Sequence, residues 1–364
     1  MAISVLTALS PFSLLELVSG LLLLILGAEI LVRAAVRLAA SLKVRPLIIG
    51  LSIVAFGSSA PQMTVSLQAT LAGNTDIAVG SVIGSSIFNI LVTLGLSALI
   101  IPLRVSRQLV RLDIPVMICA ALLVFTLSAN ETLTPVDGLV LLAALVAYLG
   151  VLHYQTRHSR RPRTLDTVAR APWLSSVLLM LGGLLILVLA GHLLLGAAVD
   201  VASDLGLSER IVGLTLIGVG TSLPCLATSL IAAVRGEREI AVGNVIGSSL
   251  FNLLGVLGFT ALVAPSPLSV SPNALDFDLP VMLGVVALCL PVFYTGYRVT
   301  RAEGLVFLGL YLVYALHVVS FTFGMPLATR LEKLMLYYVL PALVAFLVLS
   351  TLRAWRRQHK REAQ

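Results

Sequence analysis

The sequence predicts an all-α polytopic membrane protein made of two inverted five-helix repeats and one extra C-terminal helix. Composition, an internal duplication and the distribution of charge support this prediction. Of the 364 residues, 59% are hydrophobic and 11% are charged, whereas a soluble domain carries about 25% charged residues. Apolar runs of about 20 residues, the length of a membrane-spanning helix, recur along the chain. The composition excludes a soluble fold, and the net charge of +7 is interpreted as a topology signal and not as nucleic-acid binding.

One segment of the chain occurs twice. Gly50–Gly95 aligns without a gap to Gly213–Gly258, and 23 of the 46 positions are identical by direct count. Generic hydrophobic sequence does not keep its Gly, Pro, Ser and Asn residues in step. The segment is therefore interpreted as an internal duplication, with one copy in each half of the protein.

Eleven apolar stretches are predicted to cross the membrane. Their approximate bounds are 12–40, 46–72, 77–101, 112–128, 136–153, 173–202, 209–234, 240–264, 279–294, 304–323 and 334–352. The predicted organisation is a first half at 1–153, a basic cytoplasmic loop at 154–172, a second half at 173–323, and an extra helix with a basic tail at 324–364.

The basic residues predict which side of the membrane each loop faces. If the N-terminus is outside and the spans alternate, 21 of the 24 Lys and Arg residues fall in cytoplasmic segments, and only Arg210, Arg330 and Lys333 do not. Basic residues concentrate on the cytoplasmic side of membrane proteins. An odd number of spans then places the C-terminus in the cytoplasm. The two copies enter the membrane from opposite sides, and inverted repeats with interrupted helices are typical of secondary transporters.

Polar residues at helical spacing within the two copies predict a binding site. Residues four apart share a helix face, and polar groups at membrane depth need a partner or a water-filled cavity. The candidate ion-binding side chains are Ser58, Ser59, Gln62, Ser85 and Asn89 in the first copy and Thr221, Ser222, Cys225, Ser248 and Asn252 in the second.

Two prolines are predicted to kink the helices beside these side chains. Pro61 and Pro224 have no N–H, so the carbonyl groups of Gly57 and Gly220 lose their usual helical donor. A freed carbonyl oxygen is a ligand for hard cations such as Na⁺ or Ca²⁺. These oxygens, with the hydroxyl and amide groups of four helices, are predicted to form a dehydrated cation site.

Several residues in and near the two copies also have a purely structural explanation. The pairs Gly80/Gly84 and Gly243/Gly247 have the GxxxG spacing that lets membrane helices pack closely. Asp76 and Glu239, at matching positions of the copies, are interpreted as residues at helix starts. Glu29 and His192 are ionisable residues within apolar spans, each either a relay or a hydrogen-bonded interior group. The sequence offers no paired His or carboxylates and no Ser/His/Asp set, so an enzyme is not expected.

The duplicated motifs resemble those of the calcium/cation antiporter superfamily, the sodium/calcium exchanger-like proteins. The family repeats carry G-T-S-x-P-E followed by G-N-x-x-G-S-N-x-x-N. Here GSSAPQ at 57–62 precedes GSVIGSSIFN at 80–89, and GTSLPC at 220–225 precedes GNVIGSSLFN at 243–252. The resemblance implies ten core helices in two inverted halves, an integral membrane protein and, in a bacterium, a location in the inner membrane.

The departures from the family motif concern its charge. The resemblance implies that the Glu ending each first motif is a principal cation ligand, yet Gln62 and Cys225 stand there, and Asn89 and Asn252 end the second motifs. Burying a divalent cation without an opposing charge is very unfavourable. A secondary active antiporter for Na⁺, Ca²⁺, K⁺ or H⁺ is the expected function. The alternatives are a carrier of monovalent cations only, a softer metal held by an ionised Cys225, a carrier of another solute, and a degenerate member with a sensory or scaffolding role. No cofactor is expected, the partners are the bilayer and inorganic cations, and the oligomeric state stays open.

Overall fold

The computed structural model describes residues 11–42, 44–158, 173–204, 218–294, 296–339, 341–342 and 345. Within these residues the chain forms nine helices that are long and apolar enough to cross a membrane and one shorter apolar helix. They are α1 (Pro11–Leu42), α2 (Pro46–Leu71), α3 (Thr75–Ile100), α4 (Leu109–Asn130), α5 (Pro135–His158), α6 (Trp173–Asp204), α7 (Gly218–Val234), α8 (Arg238–Val263), α9 (Ala274–Tyr294) and α10 (Arg301–Thr322).

These ten helices coincide with the first ten predicted spans. The beginning of the seventh span, residues 159–172 of the predicted basic loop at 154–172, and most of the eleventh span lie outside the described residues. At the start of the eleventh span, a short helix α11 (Leu327–Leu334) continues into a π-helical turn at Met335–Val339.

The helices of the duplicated segments form the centre of the fold. In the most apolar stretches of α3 and α8, 78% and 83% of residues are buried, against 28% for α5, α6 and α10. Small and apolar side chains on every face suit a helix surrounded by protein, whereas one exposed apolar face suits contact with lipid. The outer helices α1 and α6 pack along each other, and their exposed leucines, such as Leu22 and Leu185, face away from the core.

Two short antiparallel ladders tie loops of the first half to loops of the second. Strand β1 (Leu103–Arg104) pairs with β4 (Arg298–Val299), and β2 (Thr132–Leu133) pairs with β3 (Leu268–Ser269). In the alternating topology the first ladder lies on the side of the basic loops and the second on the opposite side. Each ladder therefore joins loops that the alternating topology places on the same face.

Ion pairs gather on the face of the β1–β4 ladder. Glu29 pairs with Arg33 in its own helix and with Arg235 at the end of α7, so it is a paired group on the basic side. Arg45 contacts Glu239 at 3.0 Å, in agreement with a structural role for Glu239. His192 is exposed on the outer helix α6.

Candidate functional site

The central helices are interrupted where the two prolines predict a kink. The first part of α2 ends at Ser58, Ser59 forms a turn, and a new helix begins at Ala60 with Pro61 in its first turn. In the second copy, a turn at Thr221 and Ser222 precedes a helix that begins at Leu223. Proline is tolerated in the first turn of a helix because no intrahelical partner is needed there. The breaks place several backbone and hydroxyl groups at the centre of the protein.

The structure brings the predicted side chains together in a buried cluster. None of the ten candidate side chains is more than 5% exposed. Hydrogen bonds connect the two copies: Ser58 Oγ lies 2.8 Å from Ser248 Oγ, and Ser85 Oγ lies 2.6 Å from Ser222 Oγ. The interface of the two copies is therefore polar at its centre.

Gln62 is held by both copies. Its Oε1 accepts a 2.6 Å hydrogen bond from the Thr221 hydroxyl, and its Nε2 donates to Ser66 at 3.1 Å and to Ser81 at 2.9 Å. The amide thus has a partner at each end. It presents neither a negative charge nor a free oxygen to the centre of the cluster.

Asn244 has the matching role in the second copy, and the sequence analysis did not select it. Its Nδ2 donates to the Cys225 carbonyl, the Cys225 sulfur and the Ser229 hydroxyl. Its Oδ1 accepts from Ser58 at 3.0 Å. The signal was present in the sequence, because Asn244, Ser248 and Asn252 stand four apart and share one face of α8.

Two buried amide oxygens have no hydrogen-bond partner among the residues that the structure describes. Asn252 donates from Nδ2 to Ser85 at 3.2 Å, but its Oδ1 accepts no hydrogen bond from the described residues, and neither does Oδ1 of Asn89. The Ser59 hydroxyl is also unpartnered there. A buried, unpartnered polar atom is costly, and a dehydrated cation would satisfy such oxygens.

The glycines preceding the two breaks lie against the outer helix α6. A methyl group at Gly57 would collide with Leu184, and one at Gly220 would lie 2.9 Å from Leu195. The proposal that their carbonyl oxygens bind an ion stays a prediction. Among the described residues, no three His, Cys, Asp or Glu side chains lie close enough to hold a metal ion.

The GxxxG glycines differ between the copies. A methyl group at Gly247 would lie 2.6 Å from the Leu51 carbonyl oxygen and one at Gly243 2.9 Å from that of Leu47, so this pair permits close packing of α8 on α2. Gly80 and Gly84 have no described atom within 4 Å of such a methyl position. They line a cavity of about 650 Å³ instead.

The cavity connects the cluster with the face of the β2–β3 ladder. It reaches from the exposed residues Asp76 and Pro272 to Gly218. The carbonyl oxygen of Gly218 accepts hydrogen bonds from Thr221 at 3.3 Å and Ser222 at 2.9 Å. The cavity therefore approaches the polar cluster from the face of the β2–β3 ladder.

Comparison with known proteins identifies the family of the chain. The family model described as sodium/calcium exchanger protein matches residues 12–154 and 175–320. A putative antiporter CaxA from Alkalimonas amylolytica is 38% identical over 81% of this chain and 95% of its own length. The inner membrane protein YrbG of Escherichia coli (strain K12) is 38% identical over 73% of this chain and 84% of its own length.

A solved structure extends the match to three dimensions. The sodium-calcium exchanger NCX_Mj, soaked with 10 mM Na⁺ and zero Ca²⁺, superposes with a TM-score of 0.72 at 28% identity, covering 83% of this chain and 97% of the other. The chain is an integral membrane protein and belongs to the sodium/calcium exchanger family of antiporters.

Proposed function

We propose that the protein is a secondary active cation antiporter that works by alternating access, with its ion site where the two α-repeats meet. The two unpartnered amide oxygens of Asn89 and Asn252 carry the proposal. Asn252 donates to the Ser85 hydroxyl of the other copy, Asn89 follows Ser85 by one helical turn, and oxygen atoms are the ligands of hard cations. A site shared by two repeats is exposed to alternate sides when the repeats move relative to each other.

The proposed architecture is two inverted halves with the N-terminus outside and the C-terminus in the cytoplasm. The pairing of β1 with β4 and of β2 with β3 supports it, because each ladder joins one half to the other on one face. The excess of Lys and Arg on the β1–β4 face supports its assignment to the cytoplasm. Residues 1–153 and 173–323 then form the two halves, and 324–364 adds a final helix and tail.

The proposed substrate of the central site is a monovalent cation. The four central positions Gln62, Asn89, Cys225 and Asn252 contain no carboxylate. Taking an ion out of water is costly unless an opposite charge compensates it, and the penalty grows steeply with the charge of the ion. Neutral oxygens therefore suit Na⁺ or K⁺ better than Ca²⁺.

Flux measurements in proteoliposomes test the proposal. We expect an outward gradient of Na⁺ or K⁺ to drive uptake of labelled Na⁺ into liposomes containing the protein. Replacing Asn252 by Leu should weaken that uptake by raising the KM for the transported cation. If gradients of Na⁺, K⁺, H⁺ and Ca²⁺ all fail to drive exchange, the protein does not transport cations and a sensory or scaffolding role takes precedence.

A further inference from the structure

Two aspartates outside the central cluster have matching environments in the two halves. The Tyr148 hydroxyl donates a hydrogen bond to Asp113 Oδ1 at 3.1 Å, and the Tyr314 hydroxyl donates one to Asp278 Oδ1 at the same distance. Each aspartate lies in a membrane helix, in α4 or α9, and its tyrosine lies in the next helix. A buried carboxyl group in a membrane helix is a functional candidate because it is costly to keep there.

The local sequence around each aspartate is also repeated. Asp113 begins the sequence DIPVM at 113–117, and Asp278 begins DLPVM at 278–282. Each aspartate is the last residue of a π-helical turn, Leu109–Asp113 or Ala274–Asp278. Single π-helical turns are frequent at functional sites. The two carboxyl groups are therefore equivalent parts of the two halves, lying near opposite faces of the membrane.

The two equivalent carboxyl groups differ in their access to solvent. Asp278 lines the 650 Å³ cavity on the β2–β3 face, where its Oδ2 accepts a 3.3 Å hydrogen bond from Asn273. Asp113 is 0% exposed, and its Oδ2 has no hydrogen-bond partner among the described residues. One aspartate is thus open to water while its counterpart is sealed.

Few charged groups act on either carboxyl group. Around Asp278, α10 contributes Tyr311, Tyr314 and His317, whose ring lies 3.7 Å from the Phe277 ring, and Asp76 of α3 lines the same cavity. The described cavity lining contains no Lys or Arg.

Around Asp113, α5 contributes Tyr148. Arg45, just before α2, acts on Asp113 through its positive charge, and its guanidinium is paired with Glu239. Since neither carboxyl group has a salt-bridge partner among the described residues, sealing it away from water favours the neutral, protonated form.

We propose that Asp113 and Asp278 are a pair of proton-binding residues, one serving each side of the membrane, that load and release protons as the two halves exchange conformations. When the cavity is open, the carboxyl O–H bond of Asp278 breaks and the proton passes to cavity water. When the cavity closes, the carboxylate takes a proton back from that water before it is sealed, while Asp113 becomes open on the opposite face. The inference rests on the proposed alternating-access function and makes the exchange of conformations depend on protonation. Since each carboxyl group takes its proton from the face to which it releases it, a full cycle moves no net proton across the membrane.

Carbodiimide labelling tests the protonation states without any transport. Dicyclohexylcarbodiimide reacts with protonated carboxyl groups in apolar surroundings, and mass spectrometry locates the adducts. We expect Asp113 to be labelled at pH 6 and pH 8, and Asp278 to be labelled at pH 6 with labelling falling as the pH rises. Equal labelling at both pH values for both residues, or no labelling of either, would overturn the proposal even in a protein that transports cations.

Transport measurements test the role of the pair. Cation uptake into liposomes should depend on pH, and Asp113→Asn and Asp278→Asn should each flatten that dependence. Asp276→Asn is the matched control, because this exposed carboxylate lies two residues from Asp278. If the Asn variants keep the pH profile of the native protein, the pair has no part in the pH dependence of transport. If no cation is transported at all, the proposed function fails and the labelling experiment still decides the protonation of the pair.

Discussion

The Thr221 hydroxyl donates a 2.6 Å hydrogen bond to Oε1 of Gln62 and so joins the two α-repeats at the position where the family motif carries its carboxylate. In a Glu side chain both terminal atoms are acceptors, whereas the Gln62 amide offers one acceptor, already occupied, and one donor. The donor end is satisfied by Ser66 and Ser81. Gln62 therefore holds the interface together, and the free acceptors of the cluster lie on the asparagines.

The asparagine oxygens are expected to determine cation affinity. Replacing Asn89 or Asn252 by Leu, which is similar in size, should raise the KM for the transported cation by roughly tenfold or more, since a contact between a charge and a dipole is worth about 1.5–3 kcal/mol. The measurement is the concentration dependence of labelled Na⁺ uptake. Thr93→Val is the matched control on α3, because the Thr93 hydroxyl is buried without a partner in the described residues but is not a candidate ligand. A KM that changes equally in all three variants would contradict the assignment.

Restoring carboxylates is expected to admit calcium. Gln62→Glu combined with Cys225→Glu places two negative charges in the cluster, and these would offset much of the desolvation penalty of a divalent ion. We expect labelled Ca²⁺ uptake in the double variant and none in the native protein. Each single variant is the control. Calcium uptake by the native protein at the rate of the double variant would show that the neutral cluster already carries calcium.

Much of this site was predictable because its residues repeat at fixed spacing. The i, i+4 pattern of Ser85 and Asn89, and of Ser248 and Asn252, placed these side chains on helix faces that the structure buries together. The prolines predicted the breaks in α2 and α7. The coincidence of the first ten spans with the described helices has the same origin, since an apolar run of fixed length is the strongest signal in a sequence.

The other features of the site depend on contacts between helices, which residue spacing within one segment does not predict. The spacing of Asn244 with Ser248 and Asn252 indicates its helix face, but its contacts with Ser58 and Cys225 lie on two other helices and do not follow from that spacing. The repeat of DIPVM as DLPVM falls outside the duplicated segments Gly50–Gly95 and Gly213–Gly258, so the pattern within those segments does not indicate Asp113 and Asp278. Each aspartate meets its tyrosine only after a helix hairpin closes, and that pairing is a tertiary contact.

Close approach of the backbones is expected to make two glycines outside the repeats sensitive to substitution. A methyl group at Gly138 would lie 2.6 Å from the Gly258 carbonyl oxygen, and one at Gly304 would lie 2.7 Å from that of Gly95. Backbone atoms cannot move aside easily, so Gly138→Val and Gly304→Val should each destabilise the protein by on the order of 1–3 kcal/mol. Thermal unfolding in detergent, followed by size-exclusion chromatography, measures the effect.

The same helices offer controls for these two substitutions. Gly150 in α5 and Gly309 in α10 have no described atom within 4 Å of an added methyl group. Gly150→Val and Gly309→Val carry the same loss of backbone freedom and the same change in helix propensity. Equal destabilisation in the control and test variants would mean that propensity, and not helix packing, explains the sensitivity.

The sidedness of the protein is expected to follow its basic loops, and cysteine labelling can establish it. Asn74, between α2 and α3, and Ala302, at the start of α10, are both exposed and lie on opposite faces of the described structure. In a background without the three native cysteines, Asn74→Cys should react with a membrane-impermeant maleimide added to intact cells, while Ala302→Cys should react only after the membrane is opened. This result follows if the face carrying Arg298 and Arg301 is cytoplasmic. Labelling of Ala302→Cys in intact cells, with Asn74→Cys protected, would reverse the orientation, so that the cavity lined by Asp278 would open to the cytoplasm and Asp113 would serve the outer face.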